Sequence, residues 1–291
     1  MPFRQLRTVA RAVYELYADS GLSMAGAVAY AFVLSLFPFC IFLGALAGQL
    51  GGEALAKAAV AQLFEMAPAP VVDAIAPEVM AVMGQSRLGL LTIGALVALF
   101  FATSAIESLR AALNVAYRVK EKRGYLWCVL ESSLFVVLSA FGLLALAWGV
   151  LVGPQFAARF KPIWLLWLAD TGLFALIARY AIVITAIGIQ LAAYHLWLAA
   201  GRRTLGEVWP GVAVSIVLWL LAAQLFASWL SISDYSRFYA GLTSIMSALV
   251  FFQLSSVIVI LGAELNRGLA EMKRRIATSG ASSPAAETPV R

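Results

Sequence analysis

Charge is what this sequence has least of. Only 12% of its 291 residues are Asp, Glu, Lys or Arg, against 63% hydrophobic ones. No domain of ordinary surface-to-volume ratio hides that much apolar surface from water. The composition excludes a water-soluble globular fold and puts the chain in a membrane. Histidine is nearly missing, with His195 the single copy, which excludes zinc sites built on clustered histidines and acid–base chemistry by a histidine pair. The two cysteines, Cys40 and Cys128, lie in or beside apolar runs without metal-ligand or redox spacing. They read as small apolar fillers rather than a disulfide. Phosphate loop, nucleophile elbow and dinucleotide fingerprint are missing as well, so the chain is expected to be no enzyme and to need no cofactor or metal.

What is present is a series of runs without charge: 20–52, 88–106, 132–158, 180–201, 208–233 and 238–263. A helix needs about 20 apolar residues to cross the hydrocarbon core, so each run holds one crossing. The reading is an all-α polytopic membrane protein with six transmembrane helices near 25–49, 88–110, 129–152, 173–198, 209–230 and 242–265. Asp170 and Arg179 interrupt the apolar region that leads into the fourth, so its outer end lies anywhere from 163 to 180. The runs are continuous rather than alternating, which excludes a β-barrel.

Fifteen of the 21 basic residues flank the ends that share a side with the N-terminus, and five flank the other side. The asymmetry places both termini in the cytoplasm. It also accounts for the net charge of +6 as attraction of the inner rim to anionic lipid. The basic residues are spread over four short segments rather than gathered in a domain, so no nucleic-acid partner is expected. The apolar run begins only after Ser20 and lacks a cleavage site, so the first span is retained.

Residues 1–270 form one transmembrane domain. Residues 271–291 form a cytoplasmic, largely disordered tail, small and polar from Thr278. The N-terminal "RQLRTVARAVYELYADSG" reads as an amphipathic helix with Leu6, Val9, Val13 and Leu16 on one side. Segment 51–87, with Pro68, Pro70 and Pro77, faces outward, either as an amphipathic surface element or as a packed loop.

Ionisable and polar residues within spans are costly, which makes each a functional question. Glu107, Arg110, Glu131, Glu264 and Arg267 all fall near the cytoplasmic side. Glu107/Arg110 and Glu264/Arg267 have i,i+3 spacing, which puts opposite charges on one helical face. Two readings stand: the pairs lock helix ends together, or they form a charged inner gate or headgroup site. In the fourth span Gln190 and Tyr194 share a face and His195 adjoins it. Arg179 either snorkels outward or points inward toward a phosphate or carboxylate. Pro38 removes a backbone hydrogen bond from the first span and makes a candidate hinge, with Ser35 placed to satisfy the freed carbonyl.

The blocks "AGAVAYAFVLSLFPF" (25–39), "FFATSAIESLRAALNVAY" (100–117), "WPG" (209–211) and "YAGLTSIMSALVFFQLSSVIVILGAELN" (239–266) resemble the YihY/BrkB family of bacterial inner-membrane proteins over about residues 5–270. The resemblance implies six spans, an inner-membrane location and a last span closing on Glu264-Leu265-Asn266. The family has carried a ribonuclease label, which one histidine inside a span does not support. Some of its members have been suggested to handle lipids. The expectation is thus an envelope protein that transports or flips a lipid or other amphiphile, with membrane lipids as partners. The alternative is a non-transporting scaffold or assembly factor. A selective channel fits poorly, because no span carries a repeated ring-forming polar motif.

Overall fold

The computed structural model describes residues 2–36, 38, 88–147, 173–232 and 242–281, which are helical or in short connections, with no strand among them. We number the helices α1 (Pro2–Ala18), α2 (Gly21–Leu36), α3 (Leu88–Ala116), α4 (Tyr125–Ala147), α5 (Leu173–Ala193), α6 (Leu205–Ile232) and α7 (Leu242–Ala281). α5 runs on into a π-helical turn, Tyr194–Leu198. Helices α3 to α7 are each long and apolar enough to cross a membrane, and α1 with α2 makes a sixth such element if the 71° bend between them is part of one span. The chain is a multi-pass membrane protein. Many large apolar side chains among the described residues face outward, with Phe100, Leu126, Phe141 and Leu225 all exposed, which is the pattern lipid selects.

The expected fourth span coincides with α5 and its π turn, while the second and fifth lengthen into α3 and α6. The sixth lengthens most. α7 continues to Ala281, into the stretch expected to be a disordered tail from 271, because "LAEMKRR" after Gly268 is composed of strong helix formers and Glu271 pairs one turn on from Arg267 at 3.8 Å.

The bend between α1 and α2 is built by Asp19 and Ser20. Ser20 takes a left-handed φ of 58°, and its carbonyl starts the next helix by accepting the Met24 N–H. A Cβ on Gly21 would lie 2.6 Å from Leu16 Cδ1, so only glycine lets the chain turn this closely. The buried side of α1 is Ala12, Glu15 and Leu16, whereas Val13 is 51% exposed. That corrects the expected face. The bend lets α1 approach α7, and Glu15 finds its partner there.

α7 is the central helix. It packs on α6, α1 and α3 and reaches α2 through Phe32, whose ring stacks on Phe252 at 5.6 Å. Its approach to α6 is close: a Cβ on Gly211 would meet the Gly262 carbonyl at 2.2 Å, and one on Gly262 would meet Ser215 Oγ at 2.4 Å. Small residues allow such backbone contact between membrane helices. Ser215 Oγ donates to the Ile258 carbonyl across it. Leu113, Leu198, Ile260 and Val28 fill the core beside it.

Ser35 donates to the Phe32 carbonyl at 2.7 Å. This corrects its expected role, since the carbonyl that Pro38 frees belongs to Leu34, four residues before it. Pro38 is buried, and the kink expected around it lies outside the described residues. So do Cys40, segment 51–87, the side chain of Arg179 and the tail beyond 281.

Candidate functional site

The C-terminal end of α3, the N-terminal ends of α4 and α6, the π turn of α5 and the last third of α7 meet at one end of the bundle. We call this the basic end. Three polar networks occupy it.

The first surrounds Arg267. Its Nη2 donates both to Glu264, one turn back on α7, and to Glu15 on α1. Arg267 and Glu264 are 7% and 1% exposed. Arg11 donates to Glu15 from one side, and Arg118 lies 3.8 Å from Glu15 and 3.4 Å from Asp19. A lone carboxylate at this depth would be costly, and alternating charges offset that cost. The Glu264/Arg267 spacing thus marks a true pair, and its second acid comes from 252 residues away.

The second network surrounds Arg110, 2% exposed. Its Nη2 donates to the Cys128 carbonyl and to Ser132 Oγ, both at 2.8 Å, with Glu107 at 3.5 Å and Glu131 at 3.3 Å. Glu131 also accepts from Arg123 Nη1 at 2.6 Å. Both pairings that the i,i+3 spacing allowed, within α3 and across to α4, are made. Cys128 is buried with a free thiol.

The third network joins α3, α5, α6 and α7. Asn266 Oδ1 accepts the Gly211 N–H at 2.6 Å, and Asn266 Nδ2 donates to Tyr117 Oη. Burial pushes the Tyr117 phenol up to about 12, so it keeps its proton and donates it to His195 Nδ1 at 3.0 Å. The proton of a neutral imidazole then sits on Nε2, by inference from the network. His195 is fully buried and its Nε2 has no hydrogen-bond partner among the described residues. Gln190 and Tyr194 face α4 instead: Gln190 Nε2 donates to Ser139 Oγ at 2.7 Å, and the Tyr194 ring lies against Phe135. The π turn separates these two faces, because its wider winding redirects the residues that follow Tyr194.

Above Tyr117 lies Arg203, its guanidinium 3.6 Å from the ring centroid. It donates to the carbonyls of Ala200, Ala199 and His195, where the helix-end dipole favours a cation. Gly201, at φ 93°, lets the chain reverse so that Arg203 folds back over them. Burial pulls the Arg203 guanidinium below its ordinary range, against a smaller opposing pull from Glu207, and it makes no ion pair within 4 Å among the described residues. Asn114 closes the corner by accepting the Ala200 N–H at 2.7 Å.

A cavity of about 850 Å³ opens over this loop, lined among others by Lys120, Lys122, Arg202, Arg203, Trp197 and Leu205. A second, of about 400 Å³, shares Arg202 and Arg203 with it and reaches Asn266 and Arg274. The acids of the larger one, Glu121 and Glu131, are both held by Arg123. That guanidinium, with the Arg123 backbone N–H and the Asn114 amide, holds the Glu121 carboxyl down to about 2 against its partial burial.

The expected residues Glu107, Arg110, Glu131, Glu264, Asn266, Arg267 and His195 therefore gather at one end, with Gln190 and Tyr194 deeper on the α4 face. Glu15, Asn114, Tyr117, Arg123 and Arg203 were not singled out by sequence. Asn114 and Tyr117 do stand inside the block "AALNVAY", where polar residues at a span's end were the available signal.

Comparison with known proteins places this arrangement. The chain is 27% identical over 259 residues to the putative ribonuclease-like protein YfkH of Bacillus subtilis (strain 168), covering 87% of this chain and 92% of that one. No solved structure matches. Residues 12–288 match the family described as virulence factor BrkB, a stretch that includes every residue of the networks above except Arg11, and the chain belongs to that family.

Proposed function

We propose that this chain is a bacterial inner-membrane protein that moves a lipid or other amphiphile, with the basic end facing the cytoplasm, and that it catalyses no covalent chemistry. The observation that carries the reading is the larger cavity at the basic end. Its lining combines cations with Trp197 and Leu205, both more than 60% exposed, so one wall suits a charged headgroup and another an acyl chain. It opens where membrane helices end, at the depth of headgroups. The test is reconstitution into vesicles carrying fluorescent lipid in one leaflet. Movement above that of protein-free vesicles supports the reading, and a background rate across anionic and zwitterionic lipids overturns it.

The buried ties of Arg267 and Arg110 favour a second reading, a non-transporting scaffold or assembly factor whose charged pairs serve packing. Single cysteines at Gln190 and Tyr194, in a background lacking Cys40 and Cys128, separate the two. Reaction with an impermeant thiol reagent means a solvated path and counts against the scaffold, whereas protection favours it.

A further inference from the structure

Charge balance at the basic end is uneven. Around Arg267 and Arg110 each buried cation meets at least one acid. Around the larger cavity the opposite holds. Arg123 occupies both Glu121 and Glu131, which leaves Lys120, Lys122, Arg202 and Arg203 on one opening without an ion pair to a carboxylate among the described residues, Glu207 acting on Arg203 only at longer range. Arg203 is the telling member, because it is partly buried and so has given up water for neutral carbonyls and an aromatic face. Exposed lysines and arginines are ordinary, but four cations lining one cavity raise its positive potential and favour an anion there.

The wall is large enough for more than an ion, since ligand pockets span roughly 300–1,000 Å³, and its Trp197 side is apolar. Guanidinium pairs match the oxygens of phosphate in a fork geometry, and lysines add point charge. A phosphate monoester brings up to two negative charges to the four cations. A zwitterionic headgroup would bring its own ammonium into the same place.

We propose that the cavity between Lys120, Lys122, Arg202 and Arg203 is a phosphate site, taking the phosphate monoester end of an anionic amphiphile in preference to a zwitterionic headgroup. The inference rests on the amphiphile reading for the tail alone; the phosphate contact is its own claim.

The test uses the full chain in a neutral maltoside detergent, with phosphatidic acid, phosphatidylcholine and glycerol 3-phosphate as probes and bound species counted by native mass spectrometry. Phosphatidic acid should be retained at least about tenfold more tightly than phosphatidylcholine. The double variant Lys122→Gln/Arg202→Gln should lose at least about tenfold of that affinity. Neither side chain has a hydrogen-bond or ion-pair partner among the described residues, so the variant keeps the wild-type melting temperature. Lys273→Gln, an exposed cation on α7 that lines neither cavity, should leave binding unchanged and so excludes a general charge effect. Displacement of phosphatidic acid by millimolar glycerol 3-phosphate would assign a soluble phosphate source, and failure to displace it would assign the lipid; both support the phosphate site. Equal retention of the two lipids, or undiminished binding by the double variant, overturns it. Lipid movement in vesicles of pure phosphatidylcholine, without a preference for phosphatidic acid, would remove the phosphate site and leave the transport reading standing. Tight phosphatidic acid binding without movement would do the reverse.

Discussion

Asn266 on α7 accepts the backbone N–H of Gly211 on α6 at 2.6 Å, one residue after Pro210. Proline inside a helix crowds the preceding turn, and the amide that follows it is satisfied from the neighbouring helix. The same side chain donates to Tyr117, so a single amide holds α3, α6 and α7 together. Asn266→Leu strands the Gly211 N–H in a buried site and leaves Tyr117 Oη only its bond to His195. We expect a loss of about 1–3 kcal/mol, read from the midpoint of unfolding by sodium dodecyl sulfate in mixed micelles. An unchanged midpoint would show that the tie contributes nothing.

Gly211 and Gly262 are not equivalent at the α6–α7 crossing. A Cβ at Gly211 meets a backbone carbonyl and the Asn266 amide, and a Cβ at Gly262 meets first the Ser215 hydroxyl, which can rotate away. Gly211→Ala should cost about 1–3 kcal/mol as an overpacking change, and Gly262→Ala less. The same unfolding midpoints rank the pair, and the reverse order would contradict the geometry.

Removing Arg267 leaves Glu15 and Glu264 facing each other without a cation between them. Arg267→Met should cost about 3–5 kcal/mol, the usual penalty for breaking a buried pair from one side. The triple variant Glu15→Gln/Glu264→Gln/Arg267→Met removes all three charges and should recover most of that loss. A triple variant as unstable as the single one would mean that Arg267 acts through its packing.

Glu121 supplies a pH dependence with a fixed sign. Its carboxyl is held at about 2 against an ordinary 4.5, so its contribution to stability is complete above about 4.5 and is lost as pH falls from there toward 2. The gap in melting temperature between wild type and Glu121→Gln should therefore be constant near neutrality and narrow below pH 4.5. A gap that widens with acid would reverse the assignment.

Orientation is open to direct labelling. In a background lacking both native cysteines, Lys120→Cys, Arg202→Cys and Lys273→Cys should react with an impermeant maleimide in inverted membrane vesicles and stay protected in intact cells. Labelling in intact cells would place the basic end outside.

The spans were legible because charge is scarce: each gap between charges is a helix or lies outside the described residues, and only their ends moved. The i,i+3 pairs Glu107/Arg110 and Glu264/Arg267 were legible for the same reason, since local spacing on a helix fixes which side chains meet. Glu15 was not, because its partner lies 252 residues away and its own helix reads as a surface element. Arg203 was hidden differently: its partners are carbonyls and a ring, which no charge pattern reveals. The turn at Gly201 that brings it over Tyr117 follows from a backbone conformation, and sequence spacing carries no record of that.

The Glu15–Arg267 tie also sets an order of events during synthesis. Glu15 leaves the ribosome before Arg267, which follows 252 positions later. At about 5–20 residues per second, the acid waits roughly 13–50 s for its cation. Until then α1 has only Arg11, its own neighbour, and later Arg118 to offset the charge, so the corner at Ser20 closes onto a finished bundle only when the last helix arrives.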